Sequence, residues 1–297
     1  QACVVGAGYI GLEMIEQLAH RGLKVSLAEL QPQVLPPFDP EMVQPIVEEL
    51  RKNDVAVFLG DGIQSIVTDG QGVATGVKLA SGTTIEADLV LLGLGVRPNT
   101  RLASEAGLEI GSSGGIATNE FMQTNDPDIY ALGDAAEYCF GPTKKRQRIA
   151  LAGPANRAGR LAGQHAATDR SDPMADVLGT AIVRVFDQTA AMTGLTVKAA
   201  KGAGIDADSA TVVAANHAGY YPGAAPLRLK VVFDPGSGKV LGAQAVGREG
   251  VDKRIDVIAT AIALGATVRD LAGLDLAYAP PFGAAKDPVH LAAFVAC

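Results

Sequence analysis

Reactive side chains are scarce in this sequence. Its 297 residues hold only three cysteines and four histidines. Cys3, Cys139 and Cys297 show no C-x-x-C and no metal-ligand spacing, so no metal site is predicted. Cys3 reads as a small buried residue of the first strand. Cys139, after a loop, reads as a shielded thiol, and Cys297 ends the chain, where order is not assumed. His20, His165, His217 and His290 are scattered and form no nucleophile–histidine pair. Basic runs are short, none exceeding Lys144-Lys145-Arg146 with Arg148, and the net charge is −7, which argues against a nucleic-acid partner. No apolar run reaches the roughly 18 residues of a membrane span, and no leader is recognised before the first strand, so no membrane role and a cytoplasmic location are expected. Internal repeats and low-complexity linkers are absent as well.

What is present is a globular composition, 48% apolar and 19% charged, in a chain long enough for roughly two domains. The chain opens on a glycine turn, Val5-Gly6-Ala7-Gly8-Tyr9-Ile10-Gly11. The apolar run Ala2–Val5 predicts a buried strand. Gly6 permits a tight turn, Gly8 a close backbone approach to a pyrophosphate, and Gly11 close packing of helix on strand. A helix over 9–21 and a strand over 24–29 follow, and this context turns a weak motif into a dinucleotide-binding signal. The helix N-terminus favours phosphate charge. Glu29 ends the second strand where an acid holds the adenosine ribose. A carboxylate about 4 Å from a 2′-phosphate would repel it by roughly 4 kcal/mol at an effective dielectric near 20, and no Arg or Lys follows, so NADH is expected over NADPH. A solvated strand end is the alternative for Glu29.

Further along, helical spacing spans 42–52, with Asp39 and Pro40 as cap and first position. Strands are expected at 55–59, 64–67, 73–79 and 83–86, with a buried one at 88–92. Pro98 after Arg97 suits an extended crossover. A short strand over 129–132 runs into Gly133-Asp134, and a small-residue helix spans 150–167. From about Gly179 strands dominate (181–186, 190–193, 211–215, 227–233, 240–246), followed by helices at 251–264 and 268–272. Asp234-Pro-Gly-Ser-Gly238 is a hairpin turn.

The segments Val4–Glu13, Gly93–Asn99, Thr124–Asp134, Ala150–Gly159 and Tyr278–Pro288 together resemble the FAD-dependent pyridine nucleotide-disulfide oxidoreductases. Within them the chain is most similar to the coenzyme A-disulfide reductase and NADH oxidase/peroxidase branch. The resemblance implies an α/β fold: a Rossmann-like NAD-binding domain (1–97), the second part of a split FAD domain (98–177), and an α+β dimerisation domain (178–297) forming a homodimer. It implies that Gly6, Gly8, Ile10, Gly11 and Gly95 lie at the NAD site with Glu29 on its ribose. Tyr9 would be a gate between nicotinamide and flavin, and Glu13 a carboxylate near the nicotinamide. Gly133 and Asp134 match the second FAD motif, where Asp accepts from the ribityl chain; a helix N-cap is the alternative for Asp134. Ala152, Gly153, Pro154 and Ala155 would approach the flavin through backbone.

Ala277–Pro288 stands where other relatives carry a His-Pro pair, and it is similar to the coenzyme A-disulfide reductase pattern. Tyr278 matches one of two tyrosines that approach the redox cysteine from the opposite subunit, and Tyr220 or Tyr221 would be the second. A phenol can donate to, or protonate, a leaving thiolate; ordinary interface packing is the alternative. The family's first FAD-binding turn and redox cysteine match nothing here, so the sequence is expected to be part of a longer gene product. The implied activity is hydride transfer from NADH to FAD, then to a disulfide or persulfide of the coenzyme A class. An NADH oxidase or peroxidase, or a non-catalytic NAD-binding dimerisation module, are the alternatives.

Overall fold

The computed structural model describes residues 1–168 and 170–297. They fall into two compact units, Gln1–Gly95 with Ile182–Cys297, and Val96–Ala181.

The first unit begins with β1 (Ala2–Val5), α1 (Tyr9–His20), β2 (Val25–Glu29), α2 (Gln44–Lys52) and β3 (Ala56–Leu59). An antiparallel meander follows, β4 (Ile63–Thr68), β5 (Ala74–Leu79) and β6 (Thr84–Glu86), and then β7 (Leu89–Leu92). The parallel sheet has the order β3-β2-β1-β7, with Ala2 paired to both Val25 and Leu89. β1 is central and all four of its residues are buried. Its alternation divides the labour. Ala2 and Val4 face the core that holds Leu12, Ile15 and Leu18 of α1. Cys3 and Val5 face Val77, Leu79 and Ile85 of the meander. Leu12, Ile15 and Leu18 recur at helical spacing, so one stripe of α1 is buried. Full burial of Leu12 or Ile15 is worth roughly 1.5–3 kcal/mol each. The helix stops at Arg21-Gly22, where Gly22 adopts φ +81°.

Several local expectations need correction. The strand expected at 88–92 exists but is not buried. β7 lies at the sheet edge, with Leu89 and Leu92 exposed. The helix expected over 42–52 splits into a single 3-10 turn, Pro40–Met42, and α2. Asp39 makes no side-chain cap bond to that turn. Its carboxylate instead accepts from the backbone N–H groups of Val197 and Lys198, from Gln244 Nε2 at 2.7 Å, and pairs with Lys230 Nζ at 2.8 Å.

Those partners belong to the later part of the unit: β10 (Ala181–Val185), β11 (Gln188–Gly194), α5 (Val197–Ala203), β12 (Asp208–Ala215), β13 (Pro226–Phe233), β14 (Val240–Gly247), α6 (Val251–Ala263), α7 (Val268–Ala272) and α8 (Pro288–Ala296). The sheet order is β10-β11-β14-β13-β12, antiparallel from β11 onward. α6 packs on β11 and β14, α8 on β12 and β13. Val183, Val185, Phe186, Ala190 and Val246 join the same hydrophobic cluster as Leu12 and Ile15. One core therefore serves both halves of the unit. Asp39 and Lys230, each almost wholly buried, add an ion pair at that junction. Burial pushes the Asp39 carboxyl up, but bonds from Lys230, the Lys198 N–H and Gln244 outweigh it and hold it below the usual carboxylate range. Burial pulls Lys230 down, and its bonds to Asp39 and Glu41 reverse that.

The second unit contains the short α3 (Arg101–Glu105), the hairpin β8 (Glu137–Phe140) and β9 (Lys145–Arg148), and α4 (Ala152–Thr168). α4 buries a stripe of small residues, Pro154, Ala158 and Ala162, and Pro154 is tolerated because it lies in the first turn. The strand expected at 129–132 does not form. Residues 129 and 131 exchange single backbone bonds with Thr124 and Met122, too few for a ladder. Cys139 lies within β8 rather than after a loop.

Candidate functional site

In the first unit, the glycine turn is fixed by sterics. Gly6 adopts φ +106°, and a Cβ there would lie 2.4 Å from the Gly93 carbonyl oxygen. A Cβ on Gly11 would lie 2.0 Å from the Gly6 carbonyl oxygen and 3.5 Å from Val4. Both positions exclude any side chain. Gly8 differs, since a Cβ there would meet nothing within 4 Å. It faces open space, a cavity of about 510 Å³ lined by Gly6, Gly8, Glu29, Gly62, Gly93 and Gly95. That volume suits a small-molecule site. α1 starts at this cavity with Gly8 as its N-cap and no side-chain cap bond, so its first N–H groups remain available to an anion.

Glu29 is not a solvated strand end. It is 8% exposed. Its Oε2 accepts from the Ala7 N–H at 2.6 Å and its Oε1 from the Gln31 N–H at 2.7 Å. The carboxylate thus buttresses the glycine turn, while its remaining lone pairs can accept from a ligand's hydroxyls. Nothing in the sequence announced this second task.

Tyr9 packs partly buried on the core, and burial pushes its phenol up to about 12, so it stays protonated at neutral pH. Ile10 is exposed. Glu13, one turn on, is exposed on a different cavity of about 450 Å³, with Ile182, Arg184, Arg248, Gly250 and Asp252. The chain's fold therefore separates Glu13 from Glu29, placing them on two cavities of the same unit.

In the second unit, Gly133 adopts φ +77° in the 3-10 turn Gly133–Ala135, against which α4 packs. Its N–H donates to the Tyr138 phenol oxygen at 2.7 Å, and that phenol donates back to the Gly133 carbonyl. Tyr138 is almost fully buried and was not singled out by sequence; an aromatic residue five positions after a glycine is no signal by itself. Asp134 is exposed, makes no cap bond, and its carboxylate has no partner among the described residues, which removes the helix-cap alternative. Ala152 to Ala155 form the first turn of α4, with Ala152 and Gly153 exposed and Pro154 buried.

The three candidate tyrosines sit on two loops of the first unit. The Tyr278 phenol lies beside that of Tyr220 and raises the Tyr220 pKa above the ordinary phenol value. Tyr220 is 78% and Tyr278 50% exposed. Tyr221 instead lies edge-on to His217, with ring centroids 5.8 Å apart. The pair is thus Tyr220 with Tyr278.

The cysteines are poor nucleophiles where they are covered. Burial pushes the Cys3 thiol up to about 11. Burial and then the Asp176 carboxylate raise Cys139. Cys297 is exposed. Among the described residues no cluster of His, Cys, Asp or Glu is arranged to hold a metal ion, and no helix is long and apolar enough to cross a membrane.

A nucleotide-sized glycine cradle joined to an antiparallel α+β lobe defines a class, and comparison agrees with it. The chain belongs to the pyridine nucleotide-disulphide oxidoreductase family: residues 1–159 match that family and residues 159–288 its dimerisation domain. Among individual relatives, it is 36% identical over 296 residues to the coenzyme A disulfide reductase of Staphylococcus epidermidis, covering 100% of this chain and 66% of that protein. Of solved structures, the reduced Bacillus anthracis CoADR-RHD is 45% identical with TM-score 0.92, covering 99% of this chain and 52% of that one. A NAD-dependent persulfide reductase from A. fulgidus is 40% identical with TM-score 0.95, covering 99% of this chain and 54% of that one. The chain thus spans about half to two thirds of the length of these relatives.

Proposed function

We propose that this chain carries the nicotinamide-dinucleotide site, part of the flavin site and the acid pair of a homodimeric, NADH-dependent flavoprotein that reduces disulfides or persulfides of the coenzyme A class. The single observation that carries the substrate class is the juxtaposition of the Tyr220 and Tyr278 phenols, in a family whose relatives include a coenzyme A disulfide reductase and a persulfide reductase.

The residues fit the cofactors. Gly6, Gly8 and Gly11 and the open start of α1 would take the dinucleotide phosphates, with Glu29 accepting from the ribose hydroxyls. Glu29 would disfavour a 2′-phosphate, hence NADH over NADPH. Asp134, whose carboxylate has no hydrogen-bond partner among the described residues, would accept from a ribityl hydroxyl, and the first turn of α4 offers backbone to the flavin. Tyr9 and Glu13 would border the nicotinamide. When bound, NADH supplies the hydride and FAD relays the electron pair to a sulfur–sulfur bond.

The phenols would meet the departing thiolate. A thiol has a pKa near 8.5 and a phenol near 10, so full proton transfer is uphill by roughly 2 kcal/mol. The pair therefore works best by donating a hydrogen bond to sulfur as its charge develops, with solvent completing protonation. The test is NADH oxidation by the intact protein with coenzyme A disulfide, a coenzyme A persulfide, oxygen and peroxide in turn. Sulfur substrates should turn over fastest. Faster turnover of oxygen or peroxide makes it an oxidase or peroxidase, and tight NADH binding with no flavin and no turnover makes it a binding module; either result refutes the proposal.

A further inference from the structure

Two loops carry the phenol pair, and neither is held by regular secondary structure. The first, after β12, is closed at its ends: Asn216 N–H donates to the Ala225 carbonyl, and the Ala225 N–H to Asn216 Oδ1. The second runs from Tyr278 to Asp287. One direct bond joins them, from the Ala218 N–H to the Pro280 carbonyl.

Between the loops lies Arg254, on the second turn of α6 and 1% exposed. Its Nη2 donates to Asp287 Oδ2 at 2.7 Å and to the Asn216 carbonyl at 2.8 Å. Its Nε reaches both Asp287 oxygens at 3.2 Å, and its Nη1 the Gly250 carbonyl at 3.0 Å. One guanidinium thus grips the closed end of the first loop and the far end of the second. Asp287 is also committed on its other side, accepting from the Val289 N–H to cap α8. Lys253 adds a bond to the Phe282 carbonyl within the second loop. Gly250 is part of the arrangement, because a Cβ there would lie 2.1 Å from Arg254 Nη1.

We propose that the buried Arg254–Asp287 pair is the positioning element for the Tyr220–Tyr278 pair, holding two loops that share a single direct backbone bond in the register that brings the phenols together. The proposal deepens the functional reading above and rests on it for its catalytic meaning. Its geometric content does not depend on turnover. A buried, bidentate and fully committed ion pair is a costly way to gain stability alone, since an apolar pair of equal volume serves as well. Its geometry provides a fixed distance between two backbones. Arg suits the task because its planar fork bonds Asp287 through Nε and Nη2, Asn216 through Nη2 and Gly250 through Nη1 at once, whereas a Lys ammonium has one nitrogen to share among them.

The test uses the intact protein labelled with 3-fluorotyrosine, with the Tyr220 and Tyr278 fluorine signals assigned through their Phe variants. Arg254→Lys and Gly250→Ala should lower the Tyr220 titration to that of free 3-fluorotyrosine and lower kcat about 10- to 100-fold, the scale of a slight misplacement, with KM for NADH unchanged. Leu271→Ala, a buried change elsewhere in the unit, should lower thermal stability without moving either fluorine signal. Lys253→Met, at the exposed side, remains measurable if the buried variants do not fold, and should speed amide exchange at Phe282 and Gly283, whose N–H groups close the turn on Ala279. An unaltered Tyr220 titration in folded Arg254→Lys or Gly250→Ala protein, or unaltered exchange in Lys253→Met, overturns the proposal. If Tyr220→Phe and Tyr278→Phe leave turnover intact while the fluorine shifts follow Arg254, the acid role fails and the positioning role stands.

Discussion

Replacing Glu29 by Gln separates the two tasks of this residue. The change keeps the shape and removes the charge. Repulsion of a 2′-phosphate at about 4 Å is worth roughly 4 kcal/mol at an effective dielectric near 20, a ratio on the order of 1,000 in affinity. Salt lowers that figure. Glu29→Gln should therefore shrink the NADH-over-NADPH preference by up to about that factor. It should also loosen the turn. The two carboxylate oxygens now accept from Ala7 and Gln31, and an amide offers one acceptor and one donor. One buried N–H is left facing a donor, at a cost of about 1–3 kcal/mol. NADH binding should weaken even where the preference is lost. Glu29→Arg strands both N–H groups, so it should weaken both cofactors while tilting the ratio towards NADPH. Fluorescence titration with each cofactor, at low and high salt, and a thermal melt of each variant supply the readings. An unchanged cofactor ratio in Glu29→Gln would refute the ribose assignment; an unchanged melting temperature would refute the buttress.

The remaining glycines and ion pairs make equally direct tests. Gly8→Ala should leave the melting temperature unchanged and abolish NADH binding, because its Cβ enters the open cavity, whereas Gly11→Ala collides with the Gly6 carbonyl and should cost about 1–3 kcal/mol of stability; calorimetry and titration together distinguish the two. Tyr278→Phe and Tyr220→Phe should each slow disulfide turnover by about 100-fold at most while Tyr221→Phe does not, as steady-state rates on coenzyme A disulfide will show. Lys230→Met leaves Asp39 buried without its cation and should cost roughly 3–5 kcal/mol in denaturant unfolding. In the parent protein, the lowered Asp39 pKa stabilises above the unfolded carboxylate value and is lost as pH falls through the folded one, while the raised Lys230 pKa stabilises below the unfolded lysine value and is lost as pH rises through the folded one. Stability in Lys230→Met should lose both limbs of that dependence, which a pH series of melts will detect.

What the sequence made legible was whatever is enforced locally. The roles of Gly6 and Gly11 follow from one dihedral and one missing Cβ, both within a few residues of the turn. The stripe of α1 follows from spacing alone. Asp39 was legible as a polar residue before a helix, but its partners lie more than 150 residues away in sequence, so a local rule assigned it to the wrong helix. β7 read as buried because Leu89–Leu92 is uniformly apolar, and only the strand order shows it at an edge. α8 escaped notice for a related reason. Its residues Leu291 to Ala296 are apolar on every side, so no helical period appears. Tyr220 and Tyr221 are adjacent and chemically identical, and only the fold of their loop assigns one to Tyr278 and the other to His217.

The core shared across the first unit bears on how this protein can be taken apart. Val183, Val185 and Phe186 fill space among the side chains of α1 and α2, although more than 80 residues separate them in sequence from Gly95. A segment ending near Gly95 would carry the whole glycine cradle and yet bare that apolar surface to water. The nucleotide-binding element is therefore not a portable cassette. It can be inherited, swapped or engineered only along with the sheet that closes its core.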